Sequence, residues 1–317
     1  MSPVHGRRLL GDLLVIAGAS LWGTLGIVVK SLYESGLSTE VIVTVRATLA
    51  TVLLLALLGT IRPALLRVHL RDVPLFALYG LVSVAAFNLL YFATIQRLSV
   101  AAAAVLMYTA PAFVAVASYL TLGEPLTRTK VTALVLTLVG CALVARAYEP
   151  DTFRGQALGL LTGLGSGFTY GMYSVFGKHA LKRYKTWTVQ VYALAAGALP
   201  LLLLYGREAA VTVVRSPQGI PGLLYLALVT TLGAYGLYLA GLQRVEASRA
   251  SIISTIEPVI AALLGFWVLH ESLSLAQVAG IVLVLVSAIV LNLPAETSGA
   301  AAEGGGAAAD GGSVSGD

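Results

Sequence analysis

Apolar residues run through this chain in long blocks, broken at short intervals by glycine, proline or one or two charges. A bilayer core about 30 Å thick needs roughly 20 apolar helical residues to cross it. By that rule the pattern predicts ten spanning helices, at about 10–30, 39–58, 73–95, 99–122, 127–146, 155–178, 187–205, 220–242, 247–269 and 274–293. The expected fold class is all-α integral membrane, with the lipid bilayer as solvent. Only 294–317 breaks the pattern. It is rich in Gly, Ala and Ser and acidic without one basic residue, so it is expected to be a disordered tail.

The pattern also repeats. Pro111 is followed thirteen residues later by Glu124, within Gly123-Glu124-Pro125-Leu126, and Pro258 is followed at the same distance by Glu271, within His270-Glu271-Ser272-Leu273. The two copies lie 147 positions apart, and that offset also pairs Pro74 with Pro221, Tyr91 with Tyr238, Gln96-Arg97 with Gln243-Arg244, and Val131 with Val278. Two units are expected, 1–147 with helices 1 to 5 and 148–293 with helices 6 to 10. Five crossings per unit insert the halves in opposite orientations, and inverted repeats of this kind are a hallmark of secondary transporters.

Charge sets the expected topology. With ten spans both termini share a side, and that side collects thirteen Lys and Arg residues, from Arg7 and Arg8 through Lys178, Lys182, Arg183 and Lys185 to Arg249; the other side collects six. Both termini are therefore expected in the cytoplasm. The first apolar run imitates a signal peptide, with Arg7 and Arg8 ahead of Ala17-Gly18-Ala19, but it continues to Val29 and reads as a retained span.

Composition excludes several classes. With 58% hydrophobic and 11% charged residues and a mean hydropathy of +0.88, the chain cannot present an ordinary soluble surface. A net charge of +5 suits nucleic acid, yet the basic residues are scattered between spans, so no nucleic-acid partner is expected. One cysteine, Cys141, and four histidines give no metal-ligand spacing. The chain has no nucleotide loop and no paired carboxylates on one helix face. No catalytic residue, metal or cofactor is expected.

The paired proline and glutamate motifs, with Trp22-Gly23 in helix 1, Val45-Arg46-Ala47 in helix 2 and Glu257-Pro258 in helix 9, resemble the EamA family of the drug/metabolite transporter superfamily across residues 9–293. Pro125 departs from its counterpart Ser272. The resemblance implies ten helices in two inverted five-helix repeats around a central cavity, in the inner membrane of a bacterium. It also implies efflux of amino acids or related small metabolites, most like the exporters of aromatic and neutral amino acids. A carrier of another metabolite or drug, or a channel-like facilitator, is the alternative. A monomer is expected, with a dimer left open.

Charges deep in a bilayer are costly and face a cavity or a partner. Arg46 and Glu257 are the two charges that fall well inside predicted spans; they read either as an internal ion pair or as groups that receive the carboxylate and ammonium of a zwitterion. Pro111 and Pro258 each remove a helical N–H, freeing the carbonyls of Met107 and Ser254. Those carbonyls read as acceptors on a cavity or as kinks repaired by a nearby hydroxyl. Glu124 and Glu271 stand where helices 4 and 9 end and are expected to satisfy free N–H groups of a following helix or to serve as gates. Tyrosines within spans suit a cavity better than an interfacial belt. Tyr79, Tyr108 and Tyr170, with Trp22 and Asn88, are the chief candidates, while Tyr91, Tyr235 and Tyr238 lie nearer span ends.

Overall fold

The computed structural model of the protein describes residues 3–149, 157–270 and 272–292. Glu271, the start of predicted helix 6 and the tail 294–317 lie outside the described residues. Among those described, the regular structure is helical throughout. In chain order the helices are α1 (Pro3–Gly23), α2 (Leu25–Glu34), α3 (Thr39–Ile61), α4 (Val73–Gly80), α5 (Phe87–Ile95), α6 (Val100–Met107), α7 (Ala110–Leu122) and α8 (Arg128–Val144). They continue as α9 (Ala157–Ala180), α10 (Thr186–Arg215), α11 (Ile220–Tyr225), α12 (Ala234–Leu242), α13 (Ala247–Ser254), α14 (Ile256–Val268) and α15 (Leu275–Val290).

Several of these are pieces of one longer rod. A π-helical segment, Leu81–Ala86, joins α4 to α5, and a second, Leu226–Gly233, joins α11 to α12. Breaks at Thr24, at Tyr108-Thr109 and at Thr255 divide α1 from α2, α6 from α7 and α13 from α14. Seven stretches are long and apolar enough to cross a membrane: Gly6–Glu34, Thr39–Ile61, Leu70–Ile95, Val100–Leu122, Thr186–Arg215, Pro217–Leu242 and Ala247–Val268. Of the remaining predicted spans, α8 and α15 are short at 17 and 16 residues. Glycine, serine and tyrosine dilute the apolar character of α9. Predicted helix 7 is the one whose length differs most, since α10 runs ten residues past the expected end and holds Pro200 within it.

Local sequence explains the boundaries. Ser38, Ser99, Thr127 and Ser274 each accept a hydrogen bond from the backbone N–H three residues on, capping α3, α6, α8 and α15. Gly123 ends α7 in the left-handed region, with φ of 70°. His270, 147 positions later, takes φ of 54° although it is not glycine. The same turn is thus held in both copies of the motif after one has lost the residue best suited to it.

Helix partners also recur at that offset. The equivalent helices α3 and α10 pack together, as do α8 and α15; α1 against α12 is matched by α9 against α5, and α14 against α1 by α7 against α9. Small residues allow the approach, as they must where lipid supplies no hydrophobic drive between helices. A Cβ on Gly140 would stand 2.9 Å from the Gly280 carbonyl oxygen, and one on Gly280 2.7 Å from that of Gly140. The glycines of α9 serve the same end: Gly163 and Gly167 lie against Leu106 of α6, and Gly171 against Ala110 of α7. The largest buried cluster, with Val15, Trp22, Tyr79, Tyr173, Tyr238 and Ile252, draws on both halves of the chain.

Candidate functional site

The two prolines interrupt their helices rather than bending them. Pro111 and Pro258 sit in the first turns of α7 and α14, where a missing N–H costs least. Thr109 Oγ1 donates to the Leu106 carbonyl at 2.6 Å, and Thr255 Oγ1 to that of Ile252 at 2.5 Å. The Met107 carbonyl turns toward α9, where a Cβ on Gly167 would stand 3.3 Å from it. Hydroxyls and close packing therefore absorb part of the polarity that the breaks release.

Two adjoining cavities lie at these breaks, each with room of about 10 Å³, the space of one water. Tyr108, Ala110, Pro111, Thr255 and Glu257 line the first, and Trp22, Gly171, Tyr173, Ser174, Tyr235 and Tyr238 the second; Tyr170, Ser251 and Ser254 line both. Their walls carry one carboxylate and no basic side chain.

The second cavity is an aromatic box. Ring centroids stand 4.8 Å apart for Trp22 and Tyr235, 5.3 Å for Trp22 and Tyr238, and 4.9 Å for Tyr173 and Tyr235. Two of the pairs meet edge to face, the favourable arrangement for opposed quadrupoles. The π-helical segment Leu226–Gly233 places this wall. A π turn withdraws backbone carbonyls from the i to i−4 ladder, and side chains answer them: Trp22 Nε1 donates to Thr230 O at 3.0 Å, and Gln190 Nε2 to Thr231 O at 3.0 Å and Leu232 O at 3.1 Å. Tyr238 and Ser174 hydroxyls share a 2.6 Å hydrogen bond.

In the first cavity the Tyr170 hydroxyl donates to Glu257 at 3.4 Å, a long contact for a carboxylate acceptor. Arg46 is not on either wall. Its charge acts on Tyr235 and Glu257, and its Nε is buried without a hydrogen-bond partner. The expected direct Arg46–Glu257 ion pair does not form in this conformation, where no salt bridge joins them among the described residues.

A second polar assembly sits at one end of the helices. Arg249 and Asp12, 2% and 5% exposed, form a two-pronged pair at 2.8 and 2.6 Å. Arg249 also donates to the Leu291 carbonyl and, at 2.6 Å, to Asn292 Oδ1. Glu124 accepts from the backbone N–H groups of Ala247 and Ser248 at 2.6 and 3.0 Å and from the Ser248 hydroxyl at 2.6 Å. It thereby satisfies the start of α13, a helix of the other half, rather than of the helix that follows it in sequence. Lys130 pairs with Glu246 at 2.7 Å, and Lys178 donates to the carbonyls of Leu242 and Val245 at 2.6 and 2.5 Å.

The model of the EamA-like transporter family matches the chain twice, over residues 9–146 and 157–293. The chain belongs to the EamA-like transporter family. An uncharacterized transporter of Archaeoglobus fulgidus is 32% identical over 289 residues, covering 88% of this chain and 95% of the relative. The uncharacterized inner membrane transporter YicL of Salmonella typhimurium is 26% identical over 306 residues, 94% of this chain and all of that one. A solved crystal structure superposes with a TM-score of 0.74 at 19% identity, covering 90% of this chain and 97% of the other. That last likeness shows shared fold. Family and relatives make this a multi-pass membrane transporter and not an enzyme.

The transporter brings Trp22, Tyr108, Pro111, Tyr170 and Glu257 onto the cavity walls, with Pro258 buried beside Glu257. Three other candidates stand elsewhere. Tyr79 packs at 4.9 Å against Tyr173, and both hydroxyls are buried without a hydrogen-bond partner among the described residues. Asn88 turns back to the Val84 carbonyl at 2.6 Å. Arg46 lies off the walls as described. Sequence reading passed over Ser174, Ser251 and Ser254, counted Tyr173 among the tyrosines within spans without choosing it, and set Tyr235 and Tyr238 nearer a span end. It also missed the buried pair Asp12–Arg249, although Asp12 falls inside the first predicted span.

Proposed function

We propose that this EamA-like transporter is a secondary carrier that exports neutral and aromatic amino acids across the cytoplasmic membrane of a bacterium by alternating access. The observation that carries this reading is Glu257. It is a lone carboxylate at a helix break, joined to an aromatic box through three shared side chains. An ammonium suits the carboxylate, a sizeable side chain suits the box, and Arg46 supplies positive potential for the substrate carboxylate. Phosphorylated solutes would need several cations at the site.

Ten crossings in two inverted halves, 1–147 and 148–293, with both termini cytoplasmic, are the architecture this reading uses. The helix pairings that recur at an offset of 147, and the two family matches, support it. The packing of α8 against α15, the last helix of each half, supports it too. Each cavity holds about one water, so the conformation is occluded and the halves must part to admit a solute. Glu124 holds α13 across the halves at one end, where a gate would act; Glu271 is its counterpart in sequence, 147 positions on.

Counterflow in proteoliposomes tests the proposal. Preloaded unlabelled amino acid is expected to accelerate entry of labelled phenylalanine or alanine with saturation. Linear uptake without trans-stimulation identifies a channel-like facilitator. Saturable exchange of a different metabolite or drug, with none of any amino acid, overturns the substrate assignment alone.

A further inference from the structure

The two cavities are distinct in chemistry and joined by Tyr170, Ser251 and Ser254. On one side stand the Glu257 carboxylate and the hydroxyls of Tyr108 and Thr255; on the other stand the rings of Trp22, Tyr173, Tyr235 and Tyr238. Ser251 and Ser254 are one turn apart on α13, so their side chains share a face. The Ser254 hydroxyl is turned back to the Ser251 carbonyl at 2.8 Å, which leaves it spent on its own helix. Both serines are buried.

Internal symmetry does not account for them. The positions 147 residues earlier are Ala104 and Met107 on α6, and those of Glu257, Tyr173 and Tyr235 are Ala110, Gly26 and Asn88. The second half thus supplies most of the site's polar and aromatic chemistry, and small serines stand where its two compartments meet. Directly after Ser254 the helix breaks at Thr255, and the next helix delivers Glu257.

From this we infer that Ser251 and Ser254, opposite Tyr170, form a waist that sets substrate selectivity by side-chain size. The ammonium of a substrate rests at Glu257, and its side chain passes the waist into the aromatic box. Added bulk at either serine then shuts out long substrates and spares short ones. The inference rests on the reading of this chain as a carrier of amine-bearing solutes.

The test uses the purified full-length protein and ligand-induced thermal stabilisation, which reports apparent affinity without a transport assay. Probes are alanine and phenylalanine, and ethylamine and phenethylamine, two pairs that differ in side-chain length with and without a carboxylate. Ser251→Val is expected to weaken the long member of a pair about tenfold or more and the short member less than about threefold, the scale of a methyl group in a tight pocket. Ser251→Thr, which adds a single methyl, keeps the hydroxyl and matches valine in shape, is expected to show the same bias at similar amplitude and decides the matter where the valine variant does not fold. Equal loss of long and short probes, or no loss of either, overturns the waist. Wild-type binding of the amines without the amino acids ends the amino-acid assignment while the amine pair still decides the waist; binding of none of the four ends both.

Discussion

Glu257 is the one acidic side chain on the cavity walls, and the Tyr170 hydroxyl donates to it at a long 3.4 Å. A carboxylate so loosely held inside a membrane has acceptor capacity left for a ligand. Glu257→Gln keeps the shape and removes the charge, so counterflow is expected to fall about tenfold or more, the worth of a hydrogen bond to a charged group. Rate and pH dependence should both be measured; if neither changes, the carboxylate has no part in transport. The residue was legible in the sequence because a charge amid an apolar run has few innocent explanations. Ser251 and Ser254 were not, since small hydroxyl residues are common in membrane helices, where they bond back to their own backbone. What distinguishes them is the neighbour across the gap, and no one-dimensional pattern contains that neighbour.

Among elements, the turn from α12 to α13 is the most heavily fastened. Asp12 from α1, Glu124 from the end of α7, Lys130 from α8 and Lys178 from α9 all reach it, and Arg249 ties it to the end of α15. The turn at the same place in the first half has Ala102 where this one has Arg249, and Gly159 stands where Asp12 would be. Arg249→Ala is therefore expected to strand a buried carboxylate and destabilise the protein by about 3 to 5 kcal/mol. Adding Asp12→Ala should recover part of that loss. Denaturation in detergent micelles measures both, and a double variant no better than the single one would show that the two residues do not act as a pair. The π-helical segments are equally local in cause and invisible in sequence. Leu226–Gly233 reads as any apolar run, and its altered winding is tolerated because Trp22 and Gln190, distant in sequence, satisfy the carbonyls it releases.

For the molecule as a whole, the recurrence of helix pairings at one offset is the organising feature. Neither half closes the site alone: α1, α7 and the break before α7 bring Trp22, Pro111 and Tyr108 to walls otherwise built from α9, α12, α13 and α14. The region from 297 to 317 contributes no motif to either half. Its removal is expected to leave counterflow and expression unchanged, and a collapse of either on truncation would assign it a role. Periodicity, length of apolar runs and the 147-residue repeat were enough to anticipate the helical class and, among the described residues, the approximate position of the rods. These follow from constraints acting along the chain, namely the hydrogen-bonding demand of a backbone in lipid and the thickness it must cross. Where those rods break, which tyrosines turn inward and which serines stand between a carboxylate and a box of rings depended on contacts between residues from 41 to 208 positions apart in the chain. Such contacts exist only once the helices pack. Tertiary structure alone therefore chose the members of the site from a surplus of aromatic and polar residues that the sequence offered without order.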